Sequence, residues 1–123
     1  MTRTRVIAVD DNPANLRLVS DLLEYDGFEV IRCADAEACL KAVKDSLPDI
    51  ILMDVALPDI DGLTLTRTLK SDRKTSHIKI IAITAFAMKL DREKALAAGC
   101  DGYITKPIDT RKFSSLIREY LTR

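Results

Sequence analysis

Short runs of β-branched and other apolar residues alternate along this chain with segments in which apolar residues recur every three or four positions. The runs predict β-strands, and the recurring spacing predicts amphipathic helices. Five strands are predicted, at residues 5–9, 28–33, 49–53, 78–83 and 102–105. The second strand mixes in polar residues, as a strand at the edge of a sheet does, whereas the others carry few charges.

Helix signals fill the segments between the predicted strands. Asn12 followed by Pro13 is typical of a helix start, with asparagine as the N-cap and proline at the first helical position. This first helix is expected to run to about Tyr25 and to be ended by Gly27. Its predicted inward-facing residues are Leu16, Val19, Leu22 and Leu23.

The other four helices have similar signals. Asp35 can cap a second helix, and Pro48 stops it. A third helix is expected over about 63–70 and a fourth over about 88–98, closed by Gly99. The last helix has the clearest spacing, at i, i+3, i+4, i+7 and i+8. The predicted apolar stripes are Ala36, Leu40, Val43 and Leu47 in the second helix, and Phe113, Leu116, Ile117, Tyr120 and Leu121 in the last.

This alternation of strands and helices predicts an α/β fold in which helices cover both faces of a parallel sheet. A length of 123 residues and a mass of 13.7 kDa suit one domain over residues 1–123. Hydrophobic residues make up 47% of the chain and charged residues 31%, which is enough apolar material for a core.

Charge and aromatic content narrow the classes of partner. Lysine plus arginine and aspartate plus glutamate both number 19, so the net charge of zero gives no general attraction to nucleic acid or acidic membranes. Aromatic residues are only 5%, with no tryptophan, so base-stacking platforms are not expected.

The lengths of the apolar runs also indicate where in the cell the protein is located. No apolar run is long enough to span a membrane. The basic start at 1–5 is followed by an apolar run of only 6–9, too short for a signal peptide, so we expect a cytoplasmic protein. The odd number of cysteines, Cys33, Cys39 and Cys100, favours small core residues over a disulfide or metal site.

Polar side chains follow four of the five predicted strands. Asp10 and Asp11 come after the first strand, Asp54 after the third, Thr84 after the fourth and Lys106 after the fifth. In an open parallel sheet, ligands bind outside the carboxyl ends of the strands. Each residue alone could be turn chemistry, a helix cap, a strand residue or a solvated surface group. Together at one edge they predict a functional site.

The residue types of this site suit phosphoryl chemistry. Three crowded carboxylates repel one another, and a divalent cation relieves that repulsion. Oxygen ligands without histidine or cysteine favour Mg²⁺. A carboxylate can act as a nucleophile and form an acyl phosphate, while a lysine and a threonine hydroxyl can hold phosphoryl oxygens. Ala85 is small enough to let a phosphoryl group approach Thr84.

With these motifs the chain resembles the receiver domains of two-component response regulators. The resemblance extends from Val6 to Leu121, and in detail it is similar to stand-alone receivers of the cell-cycle type and to receivers of hybrid kinases. The segments that carry it are 9–12 (VDDN), 48–54 (PDIILMD), 57–62 (LPDIDG), 83–85 (ITA) and 99–107 (GCDGYITKP).

The resemblance implies a flavodoxin-like, doubly wound sheet of five parallel strands in the order 2-1-3-4-5, with five helices. It also implies a metal site for Mg²⁺ or Mn²⁺. Asp54 would be the phosphoacceptor and a metal ligand. Asp11 would bind the metal directly and Asp10 mostly through water, and the backbone carbonyl of Ala56 would complete the protein's share.

The same resemblance assigns roles around the phosphoryl group. Thr84 and Lys106 would hold it, and a cis peptide bond is expected between Lys106 and Pro107. Tyr103 would be a rotameric switch that turns inward when Thr84 moves toward the phosphate; the alternative is a plain core aromatic on the last strand.

The resemblance further implies a signalling switch rather than a turnover enzyme. A histidine kinase or histidine phosphotransfer protein would dock on the exposed side of the first helix, where Asn12, Asn15, Arg17 and Leu18 lie, although an exposed leucine can also be unremarkable. A downstream protein would read the face formed by helix four, strand five and helix five. The chain is expected to be a monomer or a weak phosphorylation-dependent dimer, with no effector segment and no nucleic-acid or membrane partner.

Two other classes remain open. A Mg²⁺-dependent phosphatase with an aspartate nucleophile would need a second acid just after Asp54 and a substrate cap, whereas Val55 and Ala56 follow here. A constitutive scaffold receiver would be expected to have lost an acidic position or the lysine.

Two apolar residues suggest a hypothesis about the lifetime of the phosphoryl group. Ala56 offers no side chain to orient water, and Phe86 is bulky at the mouth of the site, so both would slow autodephosphorylation. Phe86 could instead belong to a partner surface. His77, the only histidine, precedes the fourth strand and is expected on the surface.

Overall fold

The computed structural model of the protein describes residues 3–85 and 89–122. Strands and helices alternate through this part of the chain. The strands are β1 (Arg5–Val9), β2 (Glu29–Cys33), β3 (Ile50–Asp54), β4 (Lys79–Thr84) and β5 (Gly102–Thr105). The helices are α1 (Pro13–Tyr25), α2 (Ala36–Ser46), α3 (Gly62–Ser71), α4 (Lys89–Ala97) and α5 (Phe113–Thr122).

The five strands form one sheet in the order β2-β1-β3-β4-β5, and every neighbouring pair is parallel. The predicted fold class and strand order are therefore confirmed, including the edge position of β2. The order of strands reverses between β1 and β3, because the chain moves outward to β2 before crossing back to β3. Ligand sites in such sheets form at the carboxyl ends of the strands beside this reversal.

Helices cover both faces of the sheet and give the molecule two apolar layers. Buried residues of α1 and α5, such as Leu23 and Ile117, pack with one face of the sheet. Buried residues of α2, α3 and α4, such as Val43, Leu69 and Ala95, pack with the other. Each fully buried valine, leucine or isoleucine side chain contributes roughly 1.5–3 kcal/mol relative to an exposed one, so the two layers fix the sheet that carries the strand ends.

The helix termini follow the local signals. The Asn12 side chain accepts hydrogen bonds from the backbone N–H groups of Ala14 and Asn15, at 2.9 and 3.2 Å, so it caps α1 as predicted. Gly27 and Gly99 follow α1 and α4 with φ of 94° and 106°, a region that favours glycine. The predicted position 88 at the start of α4 lies outside the described residues.

The prediction that Leu47 belongs to the buried stripe of α2 is wrong. The helix ends at Ser46, and Leu47 follows it with φ of 40°, which turns its side chain out of the stripe. Its exposed fraction is 62%. A left-handed residue just after a helix is a common way to end it, and it breaks the helical register on which the stripe prediction depended.

All three cysteines are buried and free, as predicted. Burial raises the pKa of the thiols of Cys33 and Cys39 to about 11 and about 12, so both remain protonated and unreactive at neutral pH. In the part of the chain that the structure describes, no helix is long and apolar enough to cross a membrane.

Candidate functional site

Strand register brings the predicted polar residues to one edge of the sheet. Val9 in β1 is paired with Met53 in β3, so Asp10 and Asp54 follow side by side. Thr84 in β4 is paired with Thr105 in β5, so Lys106 follows next to Thr84. The backbone N–H of Lys106 donates to the carbonyl of Thr84 at 2.7 Å, which closes this edge.

Three carboxylates form a cluster at the reversal point between β1 and β3. Asp10, Asp11 and Asp54 each offer an oxygen, and these oxygens all lie within 4.8 Å of one another. Asp10 and Asp54 are buried, whereas Asp11 is exposed toward solvent. The cluster therefore consists of two buried carboxylates and one at the surface.

One cation lies against two of the carboxylates. The Lys106 Nζ atom is 3.1 Å from Oδ2 of Asp54 and 3.4 Å from Oδ2 of Asp10. The other oxygens of both aspartates accept backbone hydrogen bonds, from the N–H of Asn12 to Asp10 and from the N–H of Ala56 to Asp54, each at 2.9 Å. These four contacts hold the two carboxylates at fixed angles, and both Oδ2 atoms face the lysine.

Burial and crowding set the ionisation of this cluster. Burial raises the pKa of Asp10, and the Asp54 charge adds to the rise, against the lowering effects of the Asn12 hydrogen bond and the Lys106 charge. Burial lowers the pKa of Lys106, but its hydrogen bond to Asp54 and the two carboxylate charges outweigh this, so its pKa is raised. The lysine is thus cationic, and the fold disfavours the negative charge of Asp10.

The donor set fits a small divalent cation. Every side-chain ligand in the cluster is a carboxylate oxygen, with no imidazole or thiol among them, which suits Mg²⁺ or Mn²⁺ rather than Zn²⁺. The charge balance agrees with this fit: among the residues that the structure describes, Lys106 is the cation paired with Asp10 and Asp54, so three crowded carboxylates are left short of positive charge. Asp10, Asp11 and Asp54 are the residues that could hold the ion.

We expect Asp10→Asn to stabilise the metal-free protein, on the order of 1 kcal/mol in the free energy of unfolding. The amide keeps the shape of the side chain and can still accept from Asn12, while one of the crowded charges is removed. Urea unfolding followed by circular dichroism, without added metal, measures the change. Mg²⁺ should stabilise the wild type and give a much smaller gain in the variant.

The matched control for this measurement is Asp45→Asn. Asp45 is an exposed carboxylate near the C-terminal end of α2, so this change is expected to stay within about 0.5 kcal/mol. An Asp10→Asn variant that is less stable than the wild type without metal would contradict the inferred repulsion.

Thr84 and Tyr103 also lie together. Thr84 is buried at the end of β4, Tyr103 is half-buried on β5, and their side chains share a hydrogen bond. Burial raises the pKa of the Tyr103 phenol, the charge of Asp91 adds to the rise, and the hydrogen bond with Thr84 opposes it. The hydroxyl of Thr84 is therefore linked to an aromatic side chain that reaches toward solvent.

The remaining predicted residues are placed as follows. The peptide bond between Lys106 and Pro107 is cis, as predicted. His77 is exposed, as predicted. Ala56 is exposed two residues after Asp54, and its predicted role as a metal ligand stays a prediction. Phe86 lies outside the described residues, so the hypothesis about its shielding of the site stays a prediction.

The predicted docking residues lie on the side of α1 next to the cluster. Leu18 is 41% exposed, Asn15 is half-buried and Arg17 is exposed with an ion pair to Asp21 at 3.6 Å. Leu18 and Asn15 line an open hollow of about 430 Å³. Its other lining residues include Ala85, Lys106, Pro107 and Ile108.

Sequence reasoning did not single out two residues in the segment that follows Asp54. Gly62 packs against the backbone of Asp54, and a Cβ atom built on it would lie 2.6 Å from the Asp54 carbonyl oxygen. Asp59 binds the start of α2 through its carboxylate. Gly62 could have been found as a glycine at the start of a helix, but Asp59 has its partners more than twenty residues away, where no local pattern shows them.

Comparisons of this sequence with a family model and with curated proteins agree on one family. The model of the family described as "Response regulator receiver domain" matches residues 6–118. The chain is 44% identical over 121 residues to a protein of Brucella ovis named polar-differentiation response regulator DivK, covering 98% of both chains. It is 44% identical over 116 residues to the DivK protein of Brucella anthropi, covering 94% of both.

Solved structures have the same architecture. A CheY-like response regulator receiver domain protein from Methanospirillum hungatei superimposes with a TM-score of 0.89 at 31% identity, covering 98% of this chain and 95% of that one. A putative response regulator from Chloroflexus aurantiacus gives 0.94 at 28% identity, covering 99% and 100%. The BeF3-activated DrrB receiver domain gives 0.88 at 26% identity, covering 99% and 100%.

Proposed function

Because this chain belongs to the response regulator receiver domains of two-component signalling, we propose that it is a switch that accepts a phosphoryl group on Asp54 from a phosphohistidine donor. One observation carries the proposal: the buried Asp54 carboxylate lies within 4.8 Å of the Asp10 and Asp11 oxygens and 3.1 Å from the Lys106 ammonium. This arrangement presents a nucleophile, a cation site and a fixed positive charge at the open edge of the sheet.

The transfer needs the groups at this edge, a divalent cation bound by them and the donor. An oxygen of Asp54 attacks phosphorus and forms a new P–O bond, while the P–N bond of the donor breaks and its electron pair stays on the imidazole nitrogen. A Mg²⁺ ion bound by Asp10, Asp11, Asp54 and the Ala56 carbonyl would neutralise charge on the transferring group. Lys106 then pairs with a phosphoryl oxygen, as it pairs with Asp54 here.

Thr84 and Tyr103 would pass the chemical change to the surface. A phosphoryl oxygen on Asp54 is a stronger acceptor than a neutral hydroxyl, so the Thr84 hydroxyl would turn toward it and leave its bond with Tyr103. A hollow of about 40 Å³ beside Tyr103 is lined by Val55, Leu63 and Ala95 among others. Thr84, Asp91 and Lys94 also line it, and it gives the tyrosine side chain space to turn inward once the bond to Thr84 is lost.

Two surfaces would serve the partners. The hollow lined by Asn15 and Leu18 opens beside Lys106, where a histidine kinase or phosphotransfer protein can bring its phosphohistidine to Asp54. On the other side of the site, α4 exposes Leu90 and Leu96, at 61% and 47%. Exposed leucines on a helix next to the switch residues suit a downstream partner that reads the face of α4, β5 and α5. We propose the cytoplasm as the site of this reaction, in keeping with the location expected from the sequence.

Incubation with acetyl phosphate and Mg²⁺ tests the proposed function. We expect a stoichiometric, acid-labile adduct by intact mass, and none when a chelator removes the metal. Steady turnover of a small phosphate ester would instead indicate a phosphatase. If neither acetyl phosphate nor a phosphorylated histidine donor gives an adduct, the protein is a scaffold. Either turnover of the ester or the absence of an adduct would overturn the proposed switch function.

A further inference from the structure

Asp59 connects the loop that follows Asp54 to a different element of the fold. It lies between β3 and α3, and its carboxylate receives two backbone hydrogen bonds from the first turn of α2. The N–H of Ala36 donates to Oδ1 at 3.0 Å, and the N–H of Glu37 donates to Oδ2 at 3.1 Å. The first turn of a helix has N–H groups without intrahelical acceptors, so these two donors need such a partner.

The helix also has a cap from its own chain. Asp35 precedes α2, and its Oδ1 accepts from the N–H of Ala38 at 2.8 Å. The donors of the first turn are thus divided between the adjacent Asp35 and the distant Asp59. The carboxylate of Asp59 is exposed, and its hydrogen bond from Ala36 lowers its pKa, so it is ionised at neutral pH. A charged acceptor at a positive helix end is a firm attachment point.

The loop from Asp54 to α3 is held at its start and end as well. At the start, the N–H of Ala56 donates to Oδ1 of Asp54 at 2.9 Å. At the end, the N–H of Gly62 donates to the carbonyl of Val55 at 2.8 Å. Asp59 holds the middle of the loop through its hydrogen bonds to α2. The backbone of Ala56 therefore lies in a short stretch of loop that is held at Asp54 on one side and at Asp59 on the other.

From these contacts we propose that Asp59 is a positioning residue for the cation site: by attaching the loop to α2, it holds the Ala56 carbonyl in place to bind a divalent cation. The inference rests on the proposed function for the role of Ala56 as a ligand. Asp59 itself does not contact the ion. Loss of the attachment lets the loop move, so the carbonyl must be ordered again whenever the ion binds.

The test compares Asp59→Ala with Asp35→Ala, two changes that each remove a carboxylate from the same helix end. Only the first releases the loop. Calorimetric titration with Mg²⁺ should give a dissociation constant roughly three- to tenfold higher for Asp59→Ala, the factor expected for one lost capping interaction, and an unchanged constant for Asp35→Ala. Asp59→Asn, which keeps one amide acceptor, should lie between wild type and Asp59→Ala.

Two further measurements separate positioning from general damage. Without metal, hydrogen exchange at the amides of Ala36 and Glu37 should accelerate in Asp59→Ala. With acetyl phosphate, the Mg²⁺ concentration for half-maximal phosphorylation should rise while the rate at saturating Mg²⁺ stays within about twofold. Equal Mg²⁺ affinities of Asp59→Ala and Asp35→Ala would overturn the inference. A wild type that binds Mg²⁺ but forms no adduct would overturn the proposed function and leave this inference standing.

Discussion

Asp54→Asn is expected to abolish the phosphoryl adduct, with at least a roughly 100-fold loss in the rate of labelling by acetyl phosphate. The substitution keeps the size of the side chain and leaves an oxygen that can accept from the N–H of Ala56. It removes the negative charge that attacks phosphorus, since a neutral amide oxygen is a poor nucleophile. Intact mass or phosphate-affinity electrophoresis measures the adduct over time at saturating Mg²⁺.

The control is again Asp45→Asn, which removes an exposed carboxylate from α2 and should label at the wild-type rate. An acyl phosphate is also cleaved by hydroxylamine, whereas a phosphoserine or phosphothreonine is not, so this treatment identifies the linkage. A hydroxylamine-sensitive adduct on the Asp54→Asn protein at the wild-type rate would show that another carboxylate is the acceptor.

Much of the fold follows from local patterns. Strands β1 and β5 have their predicted bounds, and the other three differ by a single residue at one or both ends. These segments are buried on both sides of the sheet, so nearly every residue in them must be apolar, and such runs are clear in the sequence. Helix ends were predictable where a side chain caps them, as Asn12 does, because that interaction is between near neighbours in the chain.

The candidate site was predictable for a different reason. Parallel strands end at the same edge, so polar residues after successive strands must lie together whatever their distance in sequence. This reasoning found Asp10, Asp54, Thr84 and Lys106, and the register confirms that they are neighbours. It could not find Asp59, because its bonds to the start of α2 depend on how a loop crosses the surface.

The position of Leu47 shows a second limit of prediction from local patterns. A helical stripe predicts burial only while the helix continues, and α2 ends one residue before Leu47. The signal for the end was Pro48, which disfavours a helical conformation in the residue before it. Two local rules were therefore in conflict at Leu47, and the backbone rule prevailed because a steric clash costs more than one exposed leucine.

Gly62→Ala is expected to destabilise the protein by about 2–3 kcal/mol and to disturb phosphorylation as well. A Cβ at this position would lie 2.6 Å from the carbonyl oxygen of Asp54 and 2.9 Å from the Cα of Val55. Both atoms belong to backbone that is held in the sheet and in the turn closed by the Gly62 N–H, so neither can move aside cheaply. Relief of the clash must shift the first turn of α3 or the end of β3, and the second shift moves Asp54 relative to Lys106.

The informative comparison is Gly27→Ala, because the two glycines are required for different reasons. Gly27 has φ of 94° and nothing within 4 Å of an added Cβ, so alanine there should cost about 1 kcal/mol through backbone conformation alone. Urea unfolding gives the two losses, and labelling by acetyl phosphate at saturating Mg²⁺ gives the effect on the site. Gly27→Ala should label at the wild-type rate. Gly62→Ala should label more slowly, even without urea and at a temperature where the variant is fully folded. Equal labelling rates would mean that the contact between Gly62 and Asp54 supports the fold without setting the position of the nucleophile.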